Sequence, residues 1–84
     1  MDSMTEPEIQ ARGDDASRLL SDPIMSAAIA ATADRLQKAV MSTRIEDTIE
    51  REAAFAKYKG LGEVLVTLRK WEDAAAISRE NHPQ

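Results

Sequence analysis

The feature that most constrains this chain is a long stretch after Thr43 that no proline interrupts until Pro83. Ile45, Ile49, Ala53, Ala56, Leu61, Val64, Leu65, Leu68, Trp71 and Ala75 recur within it, at spacings of three and four over most of its length, the period of one α-helix face. A helix over about residues 44–79 follows, roughly 50 Å long at 1.5 Å per residue. Gly60 and Gly62 flank Leu61 and together cost about 2 kcal/mol against alanine. The apolar spacing carries on through Leu61 without a polar loop, so the expectation is one continuous helix rather than two with a turn between them. Thr43 and Glu46 have capping-box spacing, and Glu46, Asp47 and Glu50 put negative charge where a helix N-terminus favours it, which places the start between Thr43 and Asp47. Asp47 and Arg51, four apart with the acid first, are expected to form an ion pair worth about 0.3–0.5 kcal/mol.

Upstream, Ser21, Asp22 and Pro23 are the clearest punctuation, because proline disfavours helical geometry at the residue before it while Ser or Asp can cap a new start. They separate a helix over about residues 6–20 from one over about 23–41. The first begins at a second capping-box pair, Thr5 and Glu8, with Pro7 tolerated in its first turn. Its apolar positions Ile9, Ala16, Leu19 and Leu20 are sparse, and Gly13 followed by Asp14 and Asp15 weakens its middle, the glycine by about 1 kcal/mol. The second carries Met25, Ile29, Ala33, Leu36 and Val40 on one face, widened by alanines 27, 28, 30, 31 and 39. Small side chains permit close helix approach but bury less area than leucine. Residues 1–4 are read as a disordered N-terminus, 5–79 as a single helical domain and 80–84 as a frayed tail. No strand pattern competes with the helical period. The fold class is therefore all-α, with two shorter helices packed along one long C-terminal helix. Their lengths, roughly 20 and 30 Å, would just cover the third if laid nearly end to end.

Composition sharpens this reading. The chain has 84 residues, of which 43 % are apolar but only 4 % aromatic, so alanine supplies much of the apolar count and the core is thin. A thin core in so short a chain favours self-association, since little buried area offsets the ordering entropy. No stretch approaches the roughly 18–20 apolar residues of a membrane span, and the acidic, polar start gives no readable export signal. With no cysteine, disulfides, thiolate nucleophiles and cysteine zinc sites are excluded. A net charge of −4 argues mildly against a stand-alone binder of phosphate backbone.

The single histidine, His82, sits beside Pro83 and is read as an incidental tail residue rather than a base or ligand. Glu46, Asp47, Glu50 and Glu52, with Glu72 and Asp73 further off, are carboxylates that helix geometry spreads apart, which a hard metal ion cannot use. Gly60 and Gly62 lack the third glycine and the preceding strand of a phosphate-cradling loop. Serines 17, 21, 26, 42 and 78 have no histidine or lysine at a motif spacing. No enzyme activity, cofactor, metal or small-molecule substrate is expected. Lys57, Lys59, Arg69 and Lys70, with Tyr58 and Trp71 among them, resemble the mixture of nucleic-acid surfaces. Glu63, Glu72 and Asp73 interleave, and Trp71 falls on the apolar stripe, so a solvated charged face is the favoured reading.

The pattern Leu20, Asp22-Pro23, then Asp47, Arg51-Glu52, Phe55, Lys59, Leu61, Leu65 and Leu68 resembles small uncharacterised helical proteins encoded in tailed bacteriophage and prophage genomes, often near structural and packaging genes. The resemblance covers about residues 10–75, and Gly60 and Gly62 depart from it. It implies a phage assembly or accessory protein without catalytic activity, in the bacterial cytoplasm or on the virion, and carries over no binding residue. The expected function is helix-face docking, onto copies of the chain or a larger phage or host protein, through Ile45, Ile49, Leu61, Leu65, Leu68 and Trp71. Two other readings are an inhibitor binding a host or defence complex with an acidic helical surface, and a small DNA-binding packaging accessory.

Overall fold

The computed structural model describes residues 3–82, which form three helices and no strand: α1 (Glu6–Ser21), α2 (Pro23–Met41) and α3 (Thr48–Asn81). The fold is all-α. Met1, Asp2, Pro83 and Gln84, which the sequence assigns to a disordered start and a frayed tail, lie outside the described residues. Glu80 and Asn81 continue α3, and the His82 N–H donates to the Ser78 carbonyl at 2.9 Å.

α1 opens on a complete capping box. Thr5 is extended (φ −72°, ψ 162°), its hydroxyl accepts the Glu8 N–H at 3.3 Å, and the Glu8 carboxylate accepts the Thr5 N–H at 3.3 Å, so two otherwise unpartnered donors are satisfied reciprocally. Asp22 ends α1 in extended geometry with its N–H on the Leu19 carbonyl, and Pro23 begins α2 immediately, where its missing N–H costs nothing.

The start of α3 differs from expectation. Thr43 does not start α3. Its hydroxyl donates back to the Val40 carbonyl at 2.8 Å and so closes α2, and residues 44–47 form a turn. Asp47 holds this turn instead: its carboxylate accepts the Arg44 N–H at 3.2 Å, its own N–H donates to the Arg44 carbonyl at 3.0 Å, and its carbonyl accepts the Arg51 N–H. Arg51 donates its guanidinium to the Arg44 and Ile45 carbonyls at 3.0 and 3.4 Å rather than to the expected Asp47 carboxylate. An arginine satisfying two turn carbonyls fixes the chain's entry into α3 more firmly than an exposed ion pair would.

Past that turn α3 runs unbroken for 34 residues. Gly60 and Gly62 both have ordinary negative φ, and a side chain at either would meet open space. They are plain helical positions facing solvent.

Two compact units divide the chain, one joining α1 to α3 from Leu65 onward, the other made of Pro23–Val64. In the first, Gly13, Ala16, Ala75 and Ser78 are buried. A methyl group built on Gly13 would stand 2.6 Å from the Trp71 carbonyl oxygen and closer still to the Ala75 Cβ. Gly13, expected only to weaken α1, is thus the point where the two backbones come close enough to exclude any side chain. In the second unit the face of α2 read from spacing turns inward: Leu36 is buried and Met25, Ile29, Ala33 and Val40 are half-buried.

Candidate interaction surface

Side chains decide what each unit offers to a partner. The α1 unit covers its small-residue contact with polar and charged groups. Ser78 donates to the Glu6 carboxylate and accepts from the Gln10 amide at 3.0 Å. Ser17 donates to Glu72, and Arg79 reaches Asp14 at 2.6 Å. The Arg79 hydrogen bond and charge hold the Asp14 carboxyl below the usual aspartate range, against a smaller opposing effect of desolvation, and the Arg79 guanidinium is raised in turn. The Arg12 guanidinium lies over the Trp71 ring, 4.6 Å from its centroid, an attraction of ring face for cation. His82 approaches Glu6 to 3.9 Å at the end of α3, which gives the expected tail residue a place in this lattice. These polar groups are paired with one another.

The α2 unit is built differently. Leu36 is its only buried side chain, whereas Ile24, Met41, Ile45 and Ile49 are 79, 79, 89 and 80 % exposed. Gln37, Val40 and Met41 of α2 line a shallow groove with Phe55 and Tyr58 of α3. Lys59 stands at its edge with its ammonium 5.9 Å from the Phe55 ring centroid.

The six residues expected to carry docking do not share one face. Leu61, Leu65, Leu68 and Trp71 are half-buried within their own units, whereas Ile45 sits in the turn before α3 and Ile49 points to solvent. The reason is a step of five between Ala56 and Leu61. At about 100° per residue this rotates the stripe by roughly 140°. The positions that turn inward in the α2 unit are Asp47, just before α3, and Arg51, Ala54 and Leu61 within it, a register that includes two charged residues and so cannot be picked out by hydropathy alone. Ile49, Ala53, Ala56 and Gly60 follow the other register and are exposed. The groove at Phe55 and Tyr58 was not foreseen either, because Tyr58 among the lysines reads as part of a solvated charged face.

Among the described residues no three acids or histidines gather as a metal site would require, and no helix is long and apolar enough to cross a membrane. The basic residues are distributed too. Lys57 and Lys59, two positions apart, point to different sides of α3. Compared with protein-family models, with curated proteins and with solved structures, the chain matches none.

Proposed function

We propose that this chain is a non-catalytic interaction protein that acts by helix-face contact, with the apolar surface of the α2 unit as its docking face. The observation that carries this reading is the imbalance within that unit, one buried leucine against four aliphatic side chains at least 79 % exposed. Apolar side chains left in solvent in excess of those a unit buries mark a contact site, and burying one such side chain is worth about 1.5–3 kcal/mol. An exposed ion pair contributes under about 1 kcal/mol, so packing outweighs charge as a source of affinity. The resemblance to small helical phage proteins supplies the setting we propose: an accessory of virion assembly or DNA packaging.

The test is affinity capture from expressing or infected cells with Met41→Glu and Phe55→Glu beside the unaltered chain. Both side chains are exposed, so helicity by circular dichroism is expected to stay unchanged while partner retention falls. The competing DNA-binding reading makes a separate forecast, duplex binding that weakens steeply with salt. If Arg69→Glu with Lys70→Glu abolished such binding and the two glutamate variants left it intact, the contact reading would be overturned.

A further inference from the structure

Resting on the contact reading, we propose that the outward face of α3 in the α2 unit pairs with the same face of a second copy of this chain, the two helices antiparallel.

The face is the register that the fold leaves uncovered: Ile49, Ala53, Ala56 and Gly60, at steps of four, three and four, all exposed. Small residues in its middle let two helices approach closely, but smallness alone names no partner. The flanking charges do. Glu52 and Lys59 lie on one edge of this face and Glu50 and Lys57 on the other. In an antiparallel pairing of two helices, residues on one edge meet residues on the same edge of the second helix. Setting Ala53 against Ala56 of the second copy puts Ile49 against Gly60 of that copy, so the one bulky side chain enters the gap left by the one missing side chain. The same register brings Glu52 opposite Lys59 and Glu50 opposite Lys57 across the interface, and the twofold repeats both pairs. All four charges are then complemented at once.

A parallel pairing does worse on every count. It sets Ile49 on Ile49 and Gly60 on Gly60, leaves Glu50 and Lys59 without opposite charges, and aligns the helix dipoles unfavourably. Within the chain, Glu50, Glu52 and Lys57 have no ion-pair partner among the described residues, and Lys59 rests only against the Phe55 ring. Gly60 meets nothing within 4 Å. The turn carrying Ile45 falls, in this register, near the level of Val64 of the second copy, and both are exposed. The antiparallel face thus also covers the most exposed aliphatic side chain in the unit.

The absence of cysteine makes the geometry directly testable on the full purified chain. Ile49→Cys and Gly60→Cys variants, mixed and oxidised, are expected to give a heterodisulfide, while each alone gives little, since like positions lie about 16 Å apart along the helix in this register. Sedimentation equilibrium is expected to show a dimer whose Kd rises at least about tenfold in Glu50→Lys/Glu52→Lys and recovers when Lys57→Glu and Lys59→Glu are added. Ala56→Arg, in the middle of the face, serves as the control, expected to be monomeric with unchanged helicity. Homodisulfides from each single variant would mean parallel pairing and overturn the proposal. A chain monomeric at every concentration would overturn it too, and the contact reading would then stand or fall separately on the capture experiment.

Discussion

The two units solve the same problem, fixing a short helix against part of α3, with opposite means. The α1 unit packs backbone against backbone at Gly13 and Ala75 and surrounds the contact with paired polar groups. The α2 unit buries one leucine and leaves large aliphatic side chains in solvent. Tight, polar-laced packing specifies one geometry and leaves little apolar surface over, whereas loose packing with exposed isoleucines leaves binding energy available. The difference teaches that apolar content is a poor guide to where a small helical protein is well packed: the residues with the least side chain make the closest contact here.

The largest expected effect tests how much the α2 unit depends on its single buried side chain. Leu36→Ala should destabilise by about 2–4 kcal/mol, read as a shift of the urea midpoint, with amide exchange of Pro23–Val64 accelerated most. A loss under about 1 kcal/mol would mean that this unit is held by something other than its core. Next is Gly13→Ala. Helix propensity alone predicts a gain of about 1 kcal/mol, but the methyl group has no room beside Ala75 and the Trp71 carbonyl, so the expected outcome is a loss of about 1–3 kcal/mol from overpacking. Gly62→Ala reverses the sign: it faces open space at negative φ, and the melt should shift upward by about 1 kcal/mol in stability. Opposite signs for one substitution in two parts of the molecule would confirm the contrast directly.

The smallest effect is electrostatic. Asp14 is held below its ordinary value by Arg79, so its contribution is complete above the unfolded aspartate value, near 3.8, and is lost as pH falls through the lower folded value. Asp14→Asn should flatten that acid limb of the stability curve and lower stability near neutrality by the same small amount, small because both side chains are about half exposed. An unchanged acid limb would show that the pair adds nothing in solution.

Helix number, class and the punctuation at Thr5 and Asp22 were legible in the sequence because they rest on local rules; the start of α3 was not, since Thr43 closes α2 instead. Thr5 with Glu8, Asp22 before Pro23, and the inward face Met25, Ile29, Ala33, Leu36, Val40 follow from capping and period alone. Continuity through Gly60 and Gly62 was legible for the same reason. What failed depended on tertiary partners. Gly13 looks like a flaw until Ala75, 62 positions later, is seen against it, and Arg51 looks like half of an ion pair until the turn carbonyls of Arg44 and Ile45 are in place. The docking stripe was misaligned because hydropathy cannot tell a covered register from an uncovered one when both contain alanine and isoleucine.

The long sequence separations in the α1 unit carry a consequence for how the chain is made. Gln10 meets Ser78 across 68 positions and Ser17 meets Glu72 across 55, while α2 and the start of α3 are joined by a turn of a few residues. Closing a long loop is entropically dearer than closing a short one, and a growing chain emerges from its N-terminus first. During synthesis α1 therefore leaves the ribosome with no surface to rest on until Trp71, Ala75 and Ser78 follow, after every residue of the α2 unit has appeared. A nascent α1, with Gly13 in its middle, is the segment most open to proteases and chaperones in that interval.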